Sequence, residues 1–169
     1  MDVLDGNLFG ADQPCFGCGP AHPIGFRLAF TREDDAVVTR FTPDGRYQGP
    51  PGIMHGGLVT TLADEIGAWA LVGLLGKFGF TATISGKLSR PIRIGAEVVG
   101  RGRLAHPTHP THPTHPTKTT RRVVRVGVEL VQAGATAFTA ELAFVLLDRG
   151  GAERLLGGPV PESWIPFCR

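Results

Sequence analysis

The sequence is poor in cysteine and has no excess of charge of either sign. Its 169 residues include three cysteines, an odd number that is too small for a disulfide-built scaffold. Seventeen Lys and Arg against fifteen Asp and Glu give a formal net charge of +2, which excludes the strongly basic field of a nucleic-acid-binding protein. Charged residues make up 19% and hydrophobic residues 42% of the chain, so the composition also excludes a disordered protein.

Several signals of targeting and catalysis are also missing. The first five residues contain two acidic and no basic side chains, so we expect no secretion signal. The sequence contains no Gly-x-Ser-x-Gly nucleophile elbow and no Walker phosphate-binding loop. Residues 56–76 are long enough to span a membrane, but the adjacent acids Asp64 and Glu65 near their centre make insertion costly. We therefore expect a soluble, cytoplasmic protein.

The length predicts a single domain over residues 1–169, and 24 glycines with 14 prolines indicate many turns between short elements. Residues 1–24 are predicted to be irregular, and the tail at 148–169 is rich in glycine and proline. Alternation of apolar and polar residues predicts six strands. The short connections at 90–94 and 132–135 predict that the strands on either side are antiparallel neighbours. The predicted strands are 26–31, 37–42, 80–89, 95–104, 119–131 and 136–147.

One long helix is predicted over residues 57–75. Its apolar residues occupy nearly the whole circumference, which is typical of a buried helix. Because nothing else in the chain can cover it, we expect one curved antiparallel sheet to wrap around this helix. A single sheet covers only part of such a helix, so the remainder suggests burial against a second subunit.

Residues 106–117 are four tandem copies of His-Pro-Thr between two predicted strands. Such a repeat favours polyproline II, in which its four histidines would lie along one side, about 9 Å apart. This spacing is too wide for one metal ion, whose nitrogen ligands lie about 2 Å away. We expect an inert loop, with adventitious metal binding on bending as the alternative. The four histidines are His106, His109, His112 and His115.

Two neighbouring features suggest chemistry. Asp64 and Glu65 lie inside the apolar helix, where burial would raise the pKa of a carboxyl group and make it a candidate general base. Alternatively, both acids face solvent or an arginine of a partner. Just before the helix, His55-Gly56-Gly57 provides free backbone N–H groups and the positive end of the helix dipole, which suit an oxyanion. The alternative is an ordinary glycine-rich helix start. Two helical turns separate Gly57 from Asp64, which places the acid beneath the same face as the helix start.

The segment from His55 to Asp64, His-Gly-Gly-Leu-Val-Thr-Thr-Leu-Ala-Asp, resembles the signature of hot-dog-fold acyl-CoA thioesterases of the phenylacetate-pathway type. The opening Cys-Phe-Gly-Cys-Gly-Pro at 15–20, followed by Pro-Ile-Gly at 23–25, resembles the opening of one subgroup. The likeness runs from about residue 15 to 147. It implies an α+β hot-dog fold, in which a curved antiparallel sheet wraps around one long central helix. The His-Pro-Thr repeat departs from the family pattern and could affect assembly or access of coenzyme A.

The resemblance implies an acyl-CoA thioesterase, which hydrolyses the thioester to a free acid and coenzyme A. Asp64 would activate water or attack the thioester, with Glu65 beside it. The Gly56 N–H would polarise the carbonyl, and His55 would shape the loop or hydrogen-bond near the carbonyl. The other site residues that the resemblance implies are Gln48 to hold the carbonyl, Thr81 to orient the water with Thr83 in reserve, and Gly57 near the substrate.

Basic side chains should meet the phosphates of coenzyme A. The candidates by position are Arg90, Arg93, Lys118, Arg121 and Arg122, although each is alternatively a solvated charge at a strand edge. Coenzyme A is part of the substrate, so we expect no cofactor. The resemblance also implies a homodimer or a dimer of dimers, with each site built between two subunits. We expect neither nucleic acid nor membrane as a partner.

Cys15 and Cys18, with His22, resemble half of a zinc site. A structural zinc site has four ligands, and Cys168 is the only other thiol, so we expect no metal but a tight loop with buried thiols.

Two other functions remain open. The acid could support another acyl-thioester reaction on the same fold, such as hydration. The chain could also be a non-catalytic acyl-CoA-binding or regulatory hot-dog module.

Overall fold

In the computed structural model, which describes residues 3–105 and 123–168, a seven-stranded antiparallel sheet curves around one long helix. This is the predicted hot-dog architecture. The order of the strands across the sheet is β1-β2-β3-β5-β6-β7-β4. Three short 3₁₀ segments cover Gly6–Phe9, Gly45–Tyr47 and Glu162–Phe167. The elements are β1 (Val3–Asp5), β2 (Ala29–Glu33), β3 (Ala36–Phe41), α1 (Gly56–Leu75), β4 (Gly79–Leu88), β5 (Val98–Leu104), β6 (Val123–Gln132), β7 (Ala135–Leu146) and α2 (Arg149–Leu156).

The central helix α1 confirms the predicted helix to within one residue. It begins after His55, whose Nδ1 accepts a hydrogen bond from the Gly57 N–H at 3.0 Å, and it ends at Gly76, which has the left-handed φ of 61°. By length and hydropathy alone this helix could cross a membrane, yet half of its most apolar stretch is buried inside the domain. It packs into the curve of the sheet and forms the core with side chains such as Leu62, Ile66 and Trp69.

The predicted antiparallel pairing of the strands at 80–89 and 95–104 is wrong. β4 pairs with β7 at one end of the sheet, whereas β5 lies between β3 and β6. The connection between them leaves the sheet because Ile92 is buried in the core and its carbonyl accepts a hydrogen bond from the Met54 N–H at 2.8 Å. The other predicted pairing, across the short turn at 132–135, is confirmed between β6 and β7.

The ends of several elements also differ from the prediction. The strand predicted to begin at residue 26 begins at Ala29, because Arg27 has a φ of 54° that an extended strand does not allow. The segment predicted to be irregular contains the short strand β1, which pairs with β2. The glycine-rich tail contains α2, capped by Asp148. The His-Pro-Thr repeat at 106–117 and the predicted start of a strand at 119 lie outside the described residues.

Strand β4 lies at the edge of the sheet and runs antiparallel to α1. The Leu88 side chain lies next to Gly56 at the start of α1, whereas Gly79 lies against Leu71 near its end. Three large apolar side chains of β4 are exposed, namely Phe80 at 52%, Ile84 at 40% and Leu88 at 51%. Among the described residues, β4 therefore has one unpaired hydrogen-bonding edge and an exposed apolar surface.

Candidate active site

The acid on α1 lies directly against a hydroxyl on β4. The Thr81 Oγ1 donates a hydrogen bond to the Asp64 Oδ1 at 2.8 Å. Burial raises the pKa of the Asp64 carboxyl above its ordinary value, and the hydrogen bond from Thr81 acts in the opposite direction. The structure therefore brings together two of the predicted site residues, in an arrangement that leaves the second oxygen of the carboxyl for a water molecule.

The start of α1 presents backbone donors that find no acceptor among the described residues. The Gly57 N–H donates to the exposed His55 imidazole, so that donor is occupied by the helix cap. Within the described part of the chain, the Gly56 N–H has no acceptor. His55 therefore caps the helix, and the Gly56 N–H at the first helical position is available to a ligand.

The predicted amide, Gln48, lies in the loop beside the start of α1. Its Oε1 accepts a hydrogen bond from the Gly52 N–H at 3.2 Å, which fixes the side chain at the exposed surface. The neighbouring Tyr47 carbonyl accepts a hydrogen bond from the His55 N–H at 2.8 Å, so this loop and the helix start are joined. Gln48 and Gly56 thus belong to one half of the predicted site.

The two halves of the predicted site do not meet within one chain. Gly56 and Asp64 are eight residues apart on a continuous helix, which separates them by about 12 Å along its axis. A reacting carbonyl must lie about 3 Å from both its N–H donor and the attacking group. The predicted placement of Asp64 two helical turns beyond the helix start therefore does not bring the two residues of one chain to the same carbonyl.

The other predicted substrate contacts lie on exposed surface. Thr83 is exposed on β4, beyond a β-bulge that separates it from Thr81. Arg90 follows β4 and is exposed near the helix start, since Leu88 lies next to Gly56. Arg93 is also exposed. Three candidates for phosphate contact, Lys118, Arg121 and Arg122, lie outside the described residues, as do the four histidines of the repeat.

Glu65 contacts the N-terminal loop and not Thr81. Its Oε1 accepts a hydrogen bond from the Cys15 Sγ at 3.0 Å, and Gly17 packs so closely on its side chain that a Cβ would not fit there. Burial, together with the charge of Cys15, raises the pKa of Glu65 to about 8. Hydrogen bonding to Cys18 lowers the pKa of the Cys15 thiol to about 5, against the effect of burial. Sequence reasoning missed this contact because it joins residues 50 positions apart.

Comparison with known proteins connects this geometry to a family. Residues 51–108, which include the helix start, Asp64 and Thr81, match the model of the thioesterase superfamily. A comparison with curated proteins found no match.

Solved structures share the fold. A thioesterase superfamily protein has a TM-score of 0.63 at 24% identity, over 80% of this chain and 60% of its own. A hypothetical thioesterase from Streptococcus pneumoniae, crystallised with coenzyme A, has a TM-score of 0.58 at 18% identity over 69% and 86% of the two chains. A thioesterase from Haemophilus influenzae has a TM-score of 0.58 at 20% identity over 72% and 79%.

The chain thus spans less than two thirds of the length of the first of these structures, and most of the length of the other two. Identities below 25% establish the fold alone, and the family model matches about a third of the chain. Residues 51–108 of the chain thus match the thioesterase superfamily, and the whole domain has the hot-dog fold of these solved structures.

Proposed function

We propose that the protein hydrolyses acyl-CoA thioesters, with Asp64 as the general base or nucleophile. The observation that carries this proposal is the half-buried Asp64 carboxyl, which Thr81 hydrogen-bonds, inside a segment that matches the thioesterase superfamily. The coenzyme A in the Streptococcus pneumoniae structure supports this class of substrate. The segment from His55 to Asp64 supports the phenylacetate-pathway type among such enzymes.

In the proposed hydrolysis, the two carboxyl oxygens of Asp64 have different roles. One oxygen accepts the Thr81 hydrogen bond, and the other removes a proton from the water that attacks the thioester carbon. A backbone N–H at a helix start stabilises the oxyanion, whose collapse expels the coenzyme A thiolate. Direct attack by Asp64, with an anhydride that water then opens, uses the same residues.

The separation of about 12 Å along α1 supports a site that two chains build together. Asp64 and Thr81 of one chain would act with the Gly56 N–H and the Gln48 amide of the partner. This arrangement uses a donor that the isolated chain leaves without an acceptor among its described residues. It also covers the exposed apolar residues of β4.

The free edge of β4 supplies a geometry for such a dimer. Two copies of β4 that pair antiparallel about a two-fold axis over their whole length would place residue 81 of one strand opposite residue 86 of the other, two residues from Leu88. Thr81 hydrogen-bonds Asp64, and Leu88 lies next to Gly56. The pairing therefore brings the acid of each chain to the helix start of the partner.

The experiment is release of free coenzyme A from short, medium, long and aryl acyl-CoAs. Wild type is compared with Asp64→Asn and with Asp12→Asn, an exposed control. Since general base catalysis contributes about 10²- to 10⁴-fold, we expect Asp64→Asn to lower kcat by that factor and Asp12→Asn to leave it unchanged. If the wild type binds acyl-CoA but hydrolyses none of these substrates, the result would contradict hydrolysis and support the non-catalytic acyl-CoA-binding module instead.

A further inference from the structure

A second group of reactive side chains lies on the face of α1 that is turned about 100° from Asp64. It consists of Cys15 and Cys18 from the loop before β2, and Glu65 from α1, and we call it the thiol–carboxylate cluster. One ligand atom from each residue lies within 4.8 Å of the other two, and the Cys15 Sγ is 3.0 Å from the Glu65 Oε1. Cys18 is buried and Cys15 is half-buried.

The loop around these thiols has a tight and specific shape. The Cys18 N–H donates to the Cys15 Sγ at 3.5 Å, and the Gly19 N–H donates to the Cys15 carbonyl at 2.9 Å. Gln13 uses both ends of its amide, accepting from the Cys15 N–H at 3.0 Å and donating to the Cys18 Sγ at 3.5 Å. Cys-x-x-Cys is the spacing of paired cysteine ligands in zinc sites, and N–H donors to sulfur favour a thiolate.

The ionisable side chains of the cluster are all acidic. All three side chains can lose a proton, and the next residue along α1 is the acid Asp64. Within residues 3–105 and 123–168, they contact one another, Gln13 and Trp69, and no lysine, arginine or histidine side chain is among their hydrogen-bond or ion-pair partners. A buried group of acidic side chains without a basic partner is stabilised by protons or by a bound cation.

We propose that Cys15, Cys18 and Glu65 bind one zinc ion, with water in the fourth position. Two thiolates and a carboxylate are ligands that zinc prefers, and three protein ligands leave an open tetrahedral site. Zinc–sulfur bonds of about 2.3 Å place neighbouring ligand atoms just under 4 Å apart, so the cluster closes on the ion with shifts of about 1 Å. Binding releases the protons that the thiols and the carboxyl carry.

The ion would join the N-terminal loop to α1 at Glu65, one residue after Asp64. Gly17 makes this junction possible, because any larger residue there would displace the Glu65 side chain. Binding to the folded state alone stabilises that state by mass action. The site goes beyond the proposed hydrolysis, and its test does not depend on activity.

The test is metal content and cobalt substitution of the purified full chain. Zinc per chain is measured by mass spectrometry after growth with added zinc, and cobalt is titrated into the metal-free protein. We expect one zinc per chain and a thiolate-to-cobalt charge-transfer band in the near ultraviolet. Both should disappear in Cys15→Ser and Cys18→Ser and persist in Cys168→Ala, which removes the buried thiol of the other end of the chain.

Two further variants distinguish metal binding by the thiol–carboxylate cluster from binding by the histidines and from loss of metal through misfolding. Replacing the four histidines of the repeat with alanine should leave the cobalt band unchanged, since imidazole does not produce it. Glu65→Gln keeps both thiols, so it tests the site even if a serine variant fails to fold. We expect it to weaken zinc binding by at least about tenfold.

The thermal midpoint gives an independent measurement. A chelator should lower the Tm of the wild type and leave that of Cys18→Ser unchanged. The proposal is overturned if the wild type gives no thiolate–cobalt band, or if the two serine variants retain the metal content of the wild type. Either result would leave a cluster of hydrogen-bonded thiols and a carboxyl without a metal.

Discussion

At the scale of single residues, the account depends on what Asp64 touches. A carboxyl inside an apolar helix is costly unless it is paired, hydrogen-bonded or neutral, and here a single threonine hydroxyl is its partner on the side of β4. Glu65, one position later, points about 100° away and contacts Cys15. Adjacent acids therefore have different surroundings, and only the first is placed for the proposed hydrolysis.

The contribution of Thr81 can be isolated by removing its hydroxyl. Thr81→Val keeps the shape of the side chain but deletes the hydrogen bond that orients the Asp64 carboxyl. We expect kcat to fall roughly tenfold, in the range of a hydrogen bond to a charged group, with KM changed little. Steady-state release of coenzyme A measures both constants.

The matched control for that substitution is Thr139→Val, which changes an exposed threonine on the neighbouring strand β7. It should have the activity of the wild type. Equal losses of kcat in the two variants would show that Thr81 acts through the stability of the sheet and not through Asp64.

At the scale of elements, the start of α1 is the feature that can be tested most cleanly. Gly56 is its first residue, a position that tolerates proline because the N–H there has no helical acceptor. His55 before it has φ −61° and ψ 131°, a conformation that proline accepts in the preceding residue. Gly56→Pro therefore deletes the proposed oxyanion donor and keeps the helix.

We expect Gly56→Pro to lower kcat about 10²- to 10³-fold, which is the usual cost of losing one oxyanion donor. Gly56→Ala is the control, since it retains the N–H and its Cβ would meet only Leu88, at an ordinary contact of 3.7 Å. Far-ultraviolet circular dichroism should show the same helix content for both variants. Full activity of the proline variant would exclude the Gly56 N–H from the reaction.

The contact between α1 and the sheet predicts a difference between two glycines on adjacent strands. A Cβ on Gly102 of β5 would lie 2.9 Å from the Ile66 carbonyl of α1, whereas a Cβ on Gly127 of β6 meets nothing within 4 Å. Because the backbone of a helix cannot move aside without a cost in free energy, Gly102→Ala should lower the free energy of unfolding by about 1–3 kcal/mol. Gly127→Ala should leave it nearly unchanged, and urea denaturation compares the two. Similar stabilities would contradict the tight packing of β5 on α1.

The elements also show how far the sequence could predict this fold. Apolar periodicity located α1 and the pairing of β6 with β7, because both depend on local patterns and short turns. It could not show that β4 pairs with β7 and not with β5, since the burial of Ile92 that redirects the chain is a tertiary contact. For the same reason the sequence suggested Thr81 beside Asp64 only by resemblance, and did not suggest Glu65 beside Cys15.

At the scale of the whole molecule, one chain does not bring the two halves of the proposed site together. Its acid and its free N–H are about 12 Å apart along one helix, and its edge strand β4 exposes apolar side chains. The proposed two-fold dimer through β4 would account for both observations, because it would bring each Asp64 to the Gly56 of the partner subunit. The proposed enzyme is therefore the dimer, and its activity should depend on how substitutions are distributed between the two chains.

The most direct measurement of this account is complementation between differently tagged chains. An Asp64→Asn chain is purified as a heterodimer with a Gly56→Pro chain, and release of coenzyme A is compared with the wild type. One of the two shared sites then has both native residues, so we predict about half of the wild-type kcat.

The reciprocal heterodimer pairs a wild-type chain with a chain that carries both substitutions. Each shared site then lacks one group, and we predict almost no activity. The opposite pattern, with an inactive first heterodimer and a half-active second one, would contradict a site built between two chains.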